Sequence, residues 1–191
     1  MLRIIAGEMG GRKILAPSGH KTRPTQNKTR EALFSILQHK IPGCRFLDLF
    51  AGSGANGLEA VSRGAASVVF VERDGDALRT LRGNIRALGA ENRCELAAGD
   101  FKMVMGRLKG RFDVVFMDPP YNGELIPQTM ERLCLGRLVD GESAVVLEHE
   151  GPLPDIQGFT LVDQRKYGRT LLSFFQWKES ADEDLCVPGE L

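Results

Sequence analysis

The sequence predicts an α/β protein built on a mostly parallel sheet of seven strands, with helices on both faces and a small β-hairpin at the N-terminus. Two observations carry this prediction. Short apolar runs alternate with segments of helical spacing from residue 46 onward, which is typical of parallel strands that are buried on both sides. The last two runs are instead joined by a Gly-Arg pair, which favours an antiparallel hairpin at the C-terminal end of the sheet.

The N-terminal part is predicted as a hairpin and a helix. Residues 3–8 and 12–17 flank a glycine turn, and residues 18–24 form a polar connector. Apolar residues then recur at helical spacing from Thr25 to near His39, and a Pro-Gly pair follows.

The remaining elements follow in alternation. Strands are predicted at 46–50, 67–72, 94–99, 112–117, 143–150, 159–167 and 170–177. Helices are predicted at 55–63, 75–88, 101–108 and 126–135, and the second of these is predicted to be capped by Asp74 and stopped by Gly89. We divide the chain into an N-terminal hairpin with a basic arm (1–24), one α/β domain (25–178) and an acidic tail (179–191), which we expect to be disordered. In such a sheet, ligands bind outside the carboxyl ends of the strands.

Composition excludes several classes of protein. No apolar run approaches the roughly 20 residues that span a bilayer, and the first residues lack the apolar core of a secretory signal. We therefore expect a cytoplasmic protein with no membrane partner. The four cysteines and three histidines are scattered, so neither a metal site nor a disulfide framework is predicted.

Positive charge is concentrated near the N-terminus, although the formal net charge is zero. Residues 1–46 contain nine Lys or Arg against two Glu, whereas the rest contains 16 basic and 23 acidic residues. This asymmetry indicates an anion-binding arm on an acidic body. A solvated basic surface is the alternative, and charge alone does not separate the two.

A glycine-rich turn follows the first predicted strand. Gly52-Ser53-Gly54-Ala55-Asn56-Gly57 fits G-x-G-x-x-G, in which glycines allow a ligand to approach the backbone and a helix N-terminus favours negative charge. Glu72 ends the next strand, where a carboxylate can accept both hydroxyls of a ribose. Taken alone, this pattern predicts NAD.

Two features near this turn argue for another cofactor. Asp48 lies inside the first strand, where a buried carboxylate suits a cationic amino-acid group better than a pyrophosphate; alternatively, it accepts hydrogen bonds from the amides of the turn. Asp100 and Phe101 follow the third strand and could hold an adenine by its amino group and its ring face. Alternatively, Asp100 only caps the next helix and Phe101 only packs in the core.

The most specific motif is Asp118-Pro119-Pro120-Tyr121, which follows the fourth predicted strand. Two prolines fix the backbone and remove two donors, so the carbonyls form a rigid, acceptor-rich corner beside the carboxylate. Tyr121 adds a flat stacking face. Such a corner can hold the amino group of a planar base in line with an electrophilic methyl group. The alternative is a rigid loop that only ends a strand.

The order LDLFAGSG, Glu72, Asp100 and DPPY resembles the class I S-adenosylmethionine-dependent methyltransferases, which share a Rossmann-like fold. RIIAGEMGGRKI, TRPT and TREALFSIL narrow the resemblance to the RsmD family of small-subunit ribosomal RNA guanine-N2 methyltransferases. The resemblance covers roughly residues 2–177. It implies S-adenosylmethionine as the cofactor and, as partner, ribosomal RNA in a partly or fully assembled small subunit. We also expect a monomer.

The resemblance implies a role for each candidate residue. The catalytic clamp consists of Asp118, Pro119, Pro120 and Tyr121. The cofactor-binding residues are Asp48, Phe50, Ala51, Gly52, Ser53, Gly54, Glu72, Arg73, Asp100 and Phe101, together with Arg23 and Thr25 of the segment that leads into the first helix. The residues expected to meet RNA phosphates are Arg3, Arg12, Lys13 and Lys21. The first helix is expected to close over the cofactor pocket; its alternative is an ordinary amphipathic helix.

Other functions remain open on the motifs alone. Adenine N6 in DNA or RNA, or a glutamine side chain, presents an amino group to the same clamp. An NAD-dependent oxidoreductase is disfavoured by DPPY, and a non-catalytic RNA-binding assembly factor is disfavoured by the intact Glu72, Asp100 and DPPY.

Overall fold

The computed structural model describes residues 2–17, 24–120 and 125–178, with the backbone alone for residues 24–26. The predicted acidic tail lies outside these ranges. Within them, no helix has both the length and the apolar character needed to cross a membrane.

The N-terminal segment forms a hairpin that is shorter than the sequence predicted. Strand β1 (Leu2–Arg3) pairs antiparallel with β2 (Lys13–Ile14). The predicted longer strands were wrong because the next amides bind elsewhere: those of Ile5 and Ala6 donate to the Glu59 carboxylate at 2.7 and 3.0 Å. A fully buried glutamate thus ends the hairpin pairing and fixes this segment to the body.

A seven-stranded sheet forms the centre of the described structure. Its strands are β3 (Arg45–Leu49), β4 (Ser67–Glu72), β5 (Cys94–Ala98), β6 (Val114–Met117), β7 (Ala144–His149), β8 (Phe159–Tyr167) and β9 (Thr170–Trp177). Their order is β5-β4-β3-β6-β7-β9-β8, in which the first five strands are parallel and β8 and β9 form an antiparallel hairpin at one edge. The predicted fold class is confirmed.

Within the described residues, five α-helices cover the two faces of this sheet. They are α1 (Pro24–Ile36), α2 (Ala55–Ser62), α3 (Gly75–Leu88), α4 (Phe101–Met105) and α5 (Leu125–Leu135). One apolar cluster unites α1, α2 and α3 with one face through Phe34, Leu58 and Leu81. A second cluster unites α4 and α5 with the other face through Phe101 and Met130. Both faces are buried, which explains why the central strands are apolar along their length.

Local sequence signals set the ends of α3. The Asp74 carboxylate accepts from the amides of Asp76 and Ala77, which satisfies two donors at the helix N-terminus. Gly89 ends the helix with a φ of 68°, a left-handed conformation that glycine adopts without strain. The predicted cap and stop are both confirmed.

Candidate active site

A cleft of about 770 Å³ lies at the carboxyl edge of the parallel strands. The turns after β3, β4, β5 and β6 meet there, as the right-handed crossovers of a parallel sheet require. The predicted site residues that line this cleft are Asp48, Phe50, Ala51, Gly52, Ser53, Glu72, Arg73, Asp100, Phe101, Asp118, Pro119 and Pro120. The structure therefore brings most of the predicted cofactor residues, and three of the four predicted clamp residues, into one cavity.

The other predicted cofactor and clamp residues are not among those that line the described cleft. Gly54 packs against the apolar core, because a Cβ added to it would stand 2.3 Å from the Leu81 side chain. Tyr121, Lys21 and Arg23 lie outside the described residues, and Thr25 is described only as backbone within α1.

The glycine turn has an unusual backbone. Phe50 has a φ of 61°, and Gly52 and Gly54 have φ values of 54° and 77°. For a bulky residue such as Phe50 the left-handed region is costly, and such strain is concentrated at functional sites. The tight turn is closed by the Gly54 amide, which donates to the carbonyl of Ala51 at 2.7 Å. It turns the chain from β3 into α2 directly beneath the cleft.

Asp48 lies at the base of this turn with only 1% of its surface exposed. Its Oδ2 accepts a hydrogen bond from the Gly57 amide at 2.8 Å, near the N-terminus of α2. Burial raises the pKa of this carboxyl to about 8; the Gly57 hydrogen bond opposes the shift, and the charges of Asp118 and Glu72 add to it. The carboxyl therefore holds the turn and also borders the cleft, so the two roles considered for it are compatible.

Glu72 connects the glycine turn to the turn after β4. Its Oε2 accepts from the Gly52 amide at 2.8 Å, and its Oε1 accepts from the amides of Arg73 and Asp74 at 2.7 and 2.8 Å. Three amide donors fix this carboxylate at the edge of the cleft, and a carboxylate still has acceptor capacity beyond three bonds. The carboxylate predicted to bind a ribose is therefore held in one orientation by backbone amides.

Asp100 and Phe101 form the third part of the predicted cofactor site. The Asp100 carboxylate caps α4 by accepting from the Lys102 amide at 2.9 Å, and it lies 3.7 Å from the Arg73 guanidinium. The Phe101 ring is buried and packs against Phe50 with a centroid distance of 5.4 Å. The capping and packing alternatives are thus both present, and both residues still line the cleft.

Two charged residues that line the cleft, Arg30 and Glu148, were not predicted as site residues. Arg30 of α1 was considered only as part of the covering helix, and Glu148 of β7 was not considered at all. The Arg30 guanidinium is buried, with 5% of the residue exposed, and donates to the Arg3 carbonyl at 2.6 Å. Burial lowers its pKa, and Glu59 opposes the shift. Because Arg30 lines the cleft, α1 does border the site as predicted.

Glu148 lies on β7, beside the end of β6. Burial raises the pKa of its carboxyl to about 8, the charge of Asp118 adds to the shift, and Arg30 opposes it. The signal that could have found it is its place in SAVVLEHE, where a glutamate follows four residues of an otherwise apolar strand. A carboxylate there has no packing role and needs a polar environment.

The N-terminal segment reaches the same cleft through Asn84 of α3. Its Oδ1 accepts from the Leu15 amide at 2.8 Å, and its Nδ2 donates to the carbonyls of Leu15 and Ser53 at 2.9 Å. Ala16 and Pro17 consequently line the cleft. Sequence reasoning missed Asn84, because nothing local distinguishes it from a surface residue of the helix.

The predicted RNA-binding residues occupy different environments. Arg3 and Lys13 are exposed on the hairpin. The Arg12 guanidinium instead donates to the carbonyls of Ala87 and Leu88 at the C-terminal end of α3, where a positive charge is favoured by the helix dipole. Arg12 therefore connects the hairpin to α3, in addition to contributing positive charge.

The chain is similar to proteins named Ribosomal RNA small subunit methyltransferase D. The Escherichia coli protein is 31% identical over 186 residues, which cover 96% of this chain and 93% of the relative. The Buchnera aphidicola protein is 35% identical over 147 residues, 77% of each chain. The family model described as Conserved hypothetical protein 95 matches residues 2–176. A solved Escherichia coli structure, described as a candidate methyltransferase, has a TM-score of 0.83 at 32% identity and covers 94% of this chain and 99% of its own.

Proposed function

The chain belongs to the RsmD family, and from that premise we propose that it transfers a methyl group from S-adenosylmethionine to N2 of one guanine in small-subunit ribosomal RNA. The family resemblance predicted from the motifs is confirmed by these relatives. The observation that carries the proposal is the meeting of Glu72, Asp100 and Asp118 in a single cleft. Glu72 and Asp100 would hold the cofactor, and Asp118 would hold the methyl acceptor in the same cleft.

The residues of the cleft fit S-adenosylmethionine. Glu72 offers a pre-oriented acceptor for the ribose, and Asp100 with Phe101 offers an acceptor and an apolar face for the adenine. Asp48, close to the glycine turn, offers an acceptor for the ammonium of the methionine part, and that positive charge would in turn favour the ionised carboxyl. The bound cofactor supplies an electrophilic methyl group on a sulfonium. A cleft with several carboxylates suits such a cation.

The same features disfavour NAD. A pyrophosphate binds the free amides at a helix N-terminus. At the N-terminus of α2, the Gly57 amide already donates to the Asp48 carboxyl. A carboxyl group at that place would repel the pyrophosphate when ionised and competes for the same donor.

Asp118 and the carbonyl of Pro119 are proposed to hold the target amine. The exocyclic amine of a base is a weak nucleophile, because its lone pair is delocalised into the ring. Acceptors that bind its two N–H bonds orient the lone pair toward the methyl group, so the N–C bond forms as the C–S bond breaks. The amine becomes acidic as it attacks, so the proton can leave through these acceptors without a strong base. We propose Tyr121, outside the described residues, as the stacking face.

The RNA partner is proposed from the names of the relatives and from the hairpin. Arg3 and Lys13 are exposed on β1 and β2, and phosphate contacts there would add affinity without sequence choice. An unstacked base would enter the cleft from its loop. We further propose a monomer that acts in the cytoplasm on a partly or fully assembled small subunit.

The test is to incubate the protein with methyl-labelled S-adenosylmethionine and, in parallel, unmodified small subunits, naked ribosomal RNA and DNA, and to identify the labelled nucleoside after digestion. We expect N2-methylguanosine from the ribosomal sample. Labelled N6-methyladenine would be consistent with the amine clamp but would contradict guanine as the substrate. No label in any sample, despite saturable cofactor binding, would contradict the proposed function and favour a protein substrate or a non-catalytic role.

A further inference from the structure

The cleft contains a second carboxylate beside the proposed clamp. Met117 of β6 lies beside Leu147 of β7 in parallel register, so the next residues along the two strands, Asp118 and Glu148, are neighbours. Side chains alternate between the faces of a sheet, so both point to the face that α1 covers. Adjacent strands are about 4.8 Å apart, which brings two carboxylates within reach of one flat ligand.

This placement needs an explanation, because neighbouring carboxylates repel each other. Burial and the charge of Asp118 both raise the pKa of Glu148. Among the described residues, no hydrogen bond to the Glu148 carboxylate is found. Arg30, which faces it across the cleft, has a buried Nε for which the described residues offer no acceptor. A buried donor in such an environment costs free energy unless a ligand or water satisfies it.

Guanine has the edge that matches two adjacent acceptors. Its N2 amine and its N1–H are neighbouring donors on the Watson–Crick edge, by which an unstacked base is recognised. An ionised carboxylate only accepts hydrogen bonds. On adenine the ring nitrogen beside the amine is an acceptor, so it would repel the carboxylate, which is also an acceptor.

We propose that Glu148 accepts the N1–H of the target guanine while Asp118 holds its N2 amine, so that Glu148 selects guanine over bases without an N1–H. The inference rests on the proposed function and adds a specificity residue to it. Arg30 is a positioning residue whose positive charge opposes the rise in the pKa of Glu148, so the carboxylate that accepts the N1–H is the major form above about pH 8. The base in turn supplies a hydrogen-bond donor that none of the described residues supplies.

The experiment compares two target bases in otherwise identical small-subunit RNA: guanine and 2-aminopurine, which keeps the 2-amine but has an acceptor at N1. The variant is Glu148→Gln, and the matched control is Glu95→Gln on the exposed face of the edge strand β5. The readouts are kcat/KM for methyl transfer on each base and the calorimetric Kd for the cofactor, both at about pH 8.5, where the ionised form of Glu148 is the major one.

We expect the wild-type protein and Glu95→Gln to prefer guanine strongly. Glu148→Gln should lose about 10- to 100-fold in kcat/KM on guanine, the usual cost of a hydrogen bond to a charged group. It should lose little on 2-aminopurine, because a carboxamide can donate to N1. Cofactor affinity should remain unchanged. The ratio between the two bases is independent of the amount of folded enzyme, so a partly unfolded variant is still informative.

An unchanged base ratio in Glu148→Gln would overturn the assignment of Glu148, even if its activity fell. In that case the wild-type enzyme would still methylate guanine N2, and the proposed function would stand. If the wild-type enzyme methylates neither base, the proposed function itself fails and Glu148 has no such role.

Discussion

Replacing Asp48 by Asn should change how the stability of the protein depends on pH. The folded pKa of Asp48 is raised from 3.8 to about 8, so between these values the native carboxyl keeps a proton that the unfolded chain has lost. The unfolded state then binds fewer protons, and the free energy of unfolding falls as pH rises. One proton corresponds to about 1.4 kcal/mol per pH unit. Asn keeps an oxygen that can accept from the Gly57 amide, but it does not titrate.

From about pH 5 to about pH 7, the wild-type protein should therefore lose about 3 kcal/mol more stability than Asp48→Asn. Glu148 also has a raised pKa, but it is present in both proteins and cancels in the comparison. Urea unfolding at several pH values measures the difference, with fluorescence of the single Trp177, which packs against Phe159, as the probe. The matched control is Asp155→Asn at an exposed position. Equal pH slopes in wild type and Asp48→Asn would refute the reasoning.

Three further variants test the turn, the cofactor site and the hairpin. Gly57→Ala should destabilise the protein by about 1–3 kcal/mol, because the added Cβ would stand 2.2 Å from the Phe70 ring. The control Gly83→Ala, whose added Cβ has no atom within 4 Å, should be neutral or stabilising in the same urea titration. Glu72→Gln should weaken cofactor binding about 10- to 100-fold by calorimetry, because the glutamine side chain is neutral and its NH2 group would face backbone amides that now donate to the carboxylate. An unchanged affinity would exclude the ribose role. Lys13→Ala should weaken RNA binding and reduce the slope of log affinity against log salt by about one, and a slope equal to that of the wild type would exclude a phosphate contact.

The sequence predicted the elements whose signals are local. The β8–β9 hairpin has the predicted bounds, Phe159–Tyr167 and Thr170–Trp177, because a Gly-Arg turn separates two strand-forming runs. The same holds for α3, whose ends are set by Asp74 and Gly89. The residues after β3, β4 and β5 that line the cleft could be predicted as a group, because parallel topology places strand ends at one edge of the sheet.

The features that the sequence did not predict depend on contacts between distant residues. The hairpin at the N-terminus is short because Glu59, more than fifty residues away, binds the amides of Ile5 and Ala6. Asn84 holds Leu15 and Ser53 together through helix packing that no local pattern encodes. Motif spacing therefore located the cleft but not the residues that position its walls.

Glu148 was missed for a related reason. Its significance depends on the pairing of β6 with β7, which places it beside Asp118, and on α1, which places Arg30 across from it. A single glutamate near the end of a predicted strand looks like a surface charge until these three elements are assembled. The strand order had to be known before its environment could be recognised.

The most direct test of the central claim is a single-turnover measurement with Asp118→Ala at saturating labelled S-adenosylmethionine. If Asp118 holds the target amine beside the cofactor, methyl transfer to guanine N2 should be abolished while the calorimetric Kd for the cofactor stays close to that of the wild-type protein. A wild-type rate of transfer in this variant would contradict the account of an amine clamp at the end of β6.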